Sequence, residues 1–228
     1  MRSDPFARWL GAITAGGLVV RLVYVIGFRQ DHKVVGDPYF YHHGANLLVH
    51  GKGFIAPLQY IALHIRMDAA DHPPLYMLFL SIPSALRLDT PLAHMIWSAC
   101  LGAATIALAG LVGRAVAGNR VGLIAAVIVA ISPNVWIYDG AILSETMAIF
   151  VATLVLLLAY RAWERLTLAR VCVLGAACGF AMLARSELVL LVPALLWPVA
   201  IFADHASWRT RLVRTAAATA VALVVIAP

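Results

Sequence analysis

Apolar residues run along this chain in long stretches, while polar residues gather in the short gaps between them and in one long gap. A helix needs about 20 apolar residues, with roughly 17 as a floor, to cross the hydrocarbon of a bilayer. The stretches at 9–28, 92–112, 121–137, 143–160, 171–184, 188–202 and 212–227 therefore predict about seven spans. Those at 171–184 and 188–202 are short and need flanking residues to complete the crossing. The first stretch is too long for a signal-peptide core and lacks a small-residue cleavage site, so it reads as an uncleaved span. A further apolar stretch, 75–88, is shorter, follows Pro73-Pro74 and contains Pro83.

Loop charge decides whether 75–88 crosses. If it does not, and the N-terminus with Arg2 and Arg8 is cytoplasmic, three clusters fall in short cytoplasmic turns. These are Arg114/Arg120, Arg161/Arg165/Arg170 and Arg209/Arg211/Arg214. If it does cross, all three are exported, against the positive-inside bias. Residues 29 to about 90 then form one long outer loop containing helices that lie on or dip into the bilayer. Acidic residues contribute little to topology, yet Asp31, Asp37, Asp68, Asp71, Asp89, Asp139, Glu145 and Glu187 all land outside. Asp4, Glu164 and Asp204 stay inside, so the chemistry is expected at the outer face.

Composition agrees. The 228 residues are 63% hydrophobic and 12% charged, about half the charge of a soluble domain. The fold expected is an all-α polytopic membrane protein. A net charge of +6 would suit nucleic acid if it were clustered on a soluble face. Here it sits in cytoplasmic turns, so membrane lipids and not nucleic acid are the expected contacts. Cys100, Cys172 and Cys178 all lie within apolar runs and read as small packing residues.

The long loop holds the most unusual segment, VVGDPYFYHHGANLLVHGKGF at 34–54. Asp37 precedes Pro38 and a plausible helix that ends before Gly51. As a preferred N-cap, Asp37 would simply start that helix; as an outward carboxylate, it could take a proton from a substrate hydroxyl. Six of the eight histidines (His32, His42, His43, His50, His64 and His72) fall in this loop. No pair has the spacing of a zinc helix, so no metal ligands are assigned, which leaves a divalent metal open. Tyr39, Phe40 and Tyr41 suit a headgroup belt, and Tyr41 is also placed with the substrate-binding group. In DHPPLY, 71–76, His72 is either an exposed helix entry or a cation for a lipid phosphate.

Two further outer turns carry charge. In PNVWIYDGAILSETMAIF, 133–150, Asp139 lies in the turn and Glu145 enters the next span behind Ser144. The helix dipole favours an acid there, but an ionisable group entering hydrocarbon usually faces a cavity. In ARSELVLLVP, 184–193, Arg185 and Glu187 occupy the tip; these two, with Asp139, Glu145, Arg21, His72 and Tyr41, are the expected substrate-binding residues. Arg185, and Arg21 in the outer half of the first span, are each either structural ion-pair partners or ligands for an anionic phosphate.

The sequence has no dinucleotide fingerprint, P-loop or nucleophile elbow, and no cofactor is expected. A donor for group transfer would then arrive through the membrane. The competing class is a transporter or lipid-handling protein, in which intramembrane charges mark a pathway; an inactive truncated form is a further alternative. Collection of the polar groups at one face favours the enzyme.

GDPYFYHHGANLLVHGKGF, HPPLYMLFL, GLIAAVIVAISPNVWIYDGAILSETMAIF and GFAMLARSELVLLVP, in that order, resemble the membrane glycosyltransferases of the GT-C fold. The resemblance is to the bacterial protein-mannosyltransferase-like group, which is similar to the enzyme adding aminoarabinose to lipid A. It implies a sugar donor on polyprenyl phosphate, an outer acceptor that is a cell-envelope glycan, lipid or protein, and inversion at the anomeric carbon. It also implies a multi-pass protein of the plasma membrane. The family's first-loop acid falls on Asp37, its basic residue before Pro-Pro on His72, and its acid after the Pro turn on Glu145. Many relatives pair two acids where this chain has Asp37-Pro38. Relatives also continue beyond Pro228, so residues 1–228 are expected to be an N-terminal module whose C-terminal part is missing.

Overall fold

A computed structural model describes residues 4–31 and 33–227; His32, one of the loop histidines, lies outside them. The described residues are helical almost throughout. In chain order the helices are α1 (Pro5–Tyr24), α2 (Asp37–Val49), α3 (Pro57–Leu63), α4 (Pro74–Ala85), α5 (Pro91–Ile131), α6 (Pro133–Trp136), α7 (Glu145–Glu164), α8 (Leu168–Ala184), α9 (Trp197–Phe202) and α10 (Trp208–Ile226). Wide helical turns at Val25–Arg29 and Val192–Leu196, and a tight one at Ser186–Leu190, extend α1 and lead into α9. This is a polytopic membrane protein.

Three stretches are long and apolar enough to cross a bilayer unaided: Pro5–Arg29, Pro91–Ile131 and Glu145–Glu164. The second contains two of the expected spans. Its path breaks at Ala117 and Gly118, where Gly118 takes a left-handed φ of 84° that only glycine adopts freely. The two arms fold back against each other, and bare glycines let them touch. A Cβ on Gly113 would fall 2.9 Å from the Cα of Gly122. The second arm ends at Ile131, because Pro133 cannot continue it; the expected span to residue 137 is therefore cut short, and α6 turns the chain. Likewise the span expected from 188 begins as irregular helix around Pro193.

α1 lies along both arms of α5, with Gly17 against Ile106 and Ala130. α8 and α10 cross equally closely. Gly175 and Gly179, a G-x-x-x-G pair, admit the backbone of Ala218 and Ala222, the small-residue contact by which helices associate in lipid.

The charges sort to two ends. At one, Arg114 bonds Asp4 at 3.0 Å, Arg170 bonds the Arg161 and Arg165 carbonyls, and Arg214 bonds Asp204 at 2.6 Å. At the other lie Asp37, His72, Asp139, Glu145, Arg185 and Glu187. Stretch 75–88 forms the short apolar helix α4, Pro74–Ala85. Tyr76 bonds Ser98, the Trp97 indole donates to the Phe79 carbonyl, and Ser84 meets His94, so α4 runs antiparallel to the first turns of α5. At 1.5 Å per residue those partners stand roughly 24–30 Å from Arg114 along α5. That distance is close to the full hydrocarbon thickness of about 30 Å. α4, with 12 residues, packs beside one end of the first arm of α5.

Candidate functional site

Asp37 does not cap its helix. Gly36, with φ of 68°, holds the N-cap position, while Asp37 is the first helical residue and its carboxylate makes no capping bond. The local rule that favours Asp as a cap is overridden because glycine supplies the left-handed turn. The carboxylate is instead 66% exposed and faces His72, whose Nε2 stands 3.4 Å from Asp37 Oδ1. Asp71 Oδ2 lies 3.2 Å from the other ring nitrogen, but out of hydrogen-bond alignment, so His72 Nδ1 is enclosed without a hydrogen-bond partner. Phe40 stacks on the imidazole with centroids 4.0 Å apart. His72 is thus held by an aromatic face and placed between two carboxylates.

Tyr41, one turn after Asp37, is buried and packs edge-on against both His72 and Tyr76. Burial pushes its phenol upward, Asp37 and Glu145 push the same way, and Ser144 and Arg185 oppose them. Those charges come from α2, α7 and the end of α8, so Tyr41 is where the three segments converge.

Arg185 bridges two acids. Its Nη1 donates to Glu145 at 2.7 Å and its Nη2 to Glu187 at 3.1 Å. The two glutamates hold the guanidinium above its ordinary range, and Glu187 is lowered in return, chiefly by its bond to Arg185. Arg185 and Glu145 are each about one-third exposed, at 35% and 32%, so this cation remains accessible at the site.

Arg21 and Asp139 take no place in the open site. Both are fully buried and meet as an ion pair, with Thr146 donating to the second Asp139 oxygen at 2.9 Å. Arg21 also donates to the carbonyls of Gly17, Ala130 and Val129. Of the two readings of Arg21, the geometry matches the structural one: a phosphate cannot reach it. Burial pushes the Asp139 carboxyl up, and Arg21 and Thr146 draw it back. Gly102 leaves the space. A Cβ there would fall 2.8 Å from Arg21 Nε and closer still to Asp139. The pair pins the turn that presents Glu145. In that turn the fully buried Ile142 holds a φ of 53°, a strained value for a β-branched residue.

Two elements escaped the sequence reading. Tyr76 is buried below Tyr41. His94, counted within a span, meets His42 Nδ1 to Nδ1 at 3.1 Å. The Ser84 hydroxyl has one hydrogen, and its shortest acceptor contact is Asn46 Oδ1 at 2.6 Å. It therefore accepts from His94 Nε2 at 2.9 Å. That leaves His94 Nδ1 bare to accept from His42. Asn46 donates onward to the Asp89 carbonyl at 3.0 Å. This chain of polar contacts clamps the C-terminal half of α2 to α4 and α5.

A family model described as dolichyl-phosphate-mannose-protein mannosyltransferase matches residues 71–228. The chain belongs to this family. Family membership and the apolar helices identify a membrane glycosyltransferase of the GT-C type. The match begins at Asp71, so it takes in His72, Asp139, Glu145, Arg185 and Glu187, while Arg21, Asp37 and Tyr41 precede it. No curated protein matches the chain.

Proposed function

We propose that this mannosyltransferase-family protein moves a sugar from a polyprenyl-phosphate donor to an acceptor hydroxyl at the outer face of the plasma membrane, with Asp37 as general base. The arginine-rich end is then cytoplasmic, as the positive-inside bias requires. The observation that carries the reading is the freedom of Asp37: it is exposed, has no capping duty, and stands beside His72 at the end of the bundle that holds Arg185.

In the reaction Asp37 takes the proton of the acceptor hydroxyl as that oxygen bonds to the anomeric carbon. The bond from that carbon to the phosphate oxygen breaks, and the electron pair leaves with the phosphate. Positive charge develops on the sugar ring, as in glycoside hydrolysis. The departing phosphate is stabilised by pre-placed cations, here Arg185 and His72. Arg185 reaches the phosphate by exchanging its bond to the more exposed Glu187, while Glu145 keeps its orientation.

Radiolabelled polyprenyl-phosphate sugar given to membranes containing the protein tests this. Asp37→Asn inserts and melts like the parent but loses transfer, because Asn cannot accept the proton. Undiminished turnover by that variant overturns the assignment. Movement of unchanged donor across the bilayer would identify a lipid transporter instead.

A further inference from the structure

Beside Asp37 a cavity of about 830 Å³ opens between α2, α3 and the segment leading to α4. Its size is that of a small-molecule site. We infer that this cavity receives the acceptor and that the acceptor presents a neutral sugar, not a phosphate-bearing group; the inference rests on the transfer reading above.

The charge of the lining argues for it. Among the described lining residues the ionisable side chains are Asp37, Asp68, Asp71, His72 and Tyr39, with no lysine or arginine. The nearest basic residues of the loop are turned to other partners. Arg66 donates to the Lys52 carbonyl at 3.3 Å, and Lys52 lies over the Tyr60 ring. An anion entering here would face three carboxylates, and the single imidazole among them already stands between two of those carboxylates. Like charges brought together in this way exclude wrong partners.

The same lining suits an uncharged polyol. Carboxylates accept hydrogen bonds from hydroxyls, and Gln59 can both donate and accept. Tyr39, Phe40, Pro57 and Met67 supply the apolar wall on which the C–H face of a pyranose can lie. The permanent cation of the site stands outside this cavity. Arg185 is not among the residues lining it, and its neighbour Ser186 lines a second hollow of about 600 Å³ between α4, α8 and α10. His72 borders both hollows. A neutral acceptor therefore finds its hydroxyl acceptors in the cavity beside Asp37, while the cation for the negative end of a donor, Arg185, lies outside it.

Two photoreactive probes test the assignment on the full chain in lipid nanodiscs: a diazirine-bearing octyl glucoside and its 6-phosphate. The neutral probe is expected to label peptides spanning 34–40 and 56–72 saturably. The phosphate probe should label them about tenfold less, as like-charge exclusion predicts. Asp68 is exposed, and its pairing with Ile55 runs through the backbone, so Asp68→Arg preserves the loop. That variant should narrow the gap between the probes at least severalfold. Equal or stronger labelling by the phosphate probe, or no saturable labelling of these peptides, overturns the inference. Transfer assays with the same two glycosides separate the failures. Turnover that prefers the phosphate acceptor sinks only the acceptor assignment. A donor that is never consumed, with saturable neutral labelling intact, sinks the transfer reading instead.

Discussion

Arg21 and Asp139, 118 residues apart in the chain, form an ion pair of 2.9 Å in which neither side chain reaches the surface. Removing one member strands a buried charge, which typically costs 3–5 kcal/mol, about as much as many whole domains can lose. Asp139→Leu is therefore expected to lower the melting temperature sharply in detergent. Arg21→Met with Asp139→Leu should recover much of the loss, because two apolar side chains leave no charge behind. A double-mutant cycle on thermal melts checks this; additive losses would mean that the two residues stabilise the fold independently.

The fork from Arg185 to Glu145 and Glu187 predicts that lysine is a poor replacement. Arg185→Lys keeps the charge but cannot hold two carboxylates in one plane. Sugar transfer is expected to fall about 10- to 100-fold, less than the roughly 100- to 1000-fold typical of losing an electrostatic stabiliser outright because the charge remains, with the melting temperature nearly unchanged. Rates at saturating and limiting donor distinguish a defect in the chemical step from weaker donor binding.

The crossing of α8 and α10 has no room for a methyl group. A Cβ on Gly179 would lie 2.8 Å from the Ala222 carbonyl oxygen and 2.7 Å from Val225 Cβ. Gly179→Ala should destabilise by about 1–3 kcal/mol, the usual cost of overpacking. Gly16→Ala meets nothing nearby and serves as the control. Chemical unfolding in mixed micelles reads both.

His42 gives a pH dependence with a defined sign. Burial lowers its pKa from 6.5 to about 4, the neighbouring His94 and His43 add to the effect, and Asp89 opposes it. Between those values the unfolded chain binds the extra proton and the folded chain does not. Stability is therefore complete above about pH 6.5, declines as pH falls towards 4, and levels below that. The total is on the order of 3 kcal/mol. His42→Phe should flatten the pH 4–6.5 portion of a stability profile; an unchanged slope would move the titration to another group.

The apolar helices were legible because hydropathy acts over long windows. Their ends were harder to place: the second arm of α5 stops at Ile131 and not at 137, and irregular helix occupies 186–196. Local chemistry was less so. Asp37 satisfies every rule for an N-cap, yet Gly36 takes that position, and sequence rules cannot weigh a backbone angle set by the loop before it. The fold-back at Ala117 and Gly118 falls inside the turn expected between the spans at 92–112 and 121–137, because Arg114 and Arg120 interrupt the apolar run there. The approach of Glu145 to Arg185 could be anticipated, since both sit at turns on the same face. The meetings of Arg21 with Asp139 and of His42 with His94 could not, because only the packed bundle decides which buried polar groups become neighbours.

α2 is clamped from His42 to Asn46 and carries Asp37 beyond the clamp. The five residue steps from His42 to Asp37 make a lever arm of roughly 7–8 Å. A tilt of several degrees at the α4–α5 corner therefore swings the carboxylate by about an ångström, enough to make or break a proton-transfer contact. Substitutions at that distant fulcrum should alter turnover without touching any reacting atom.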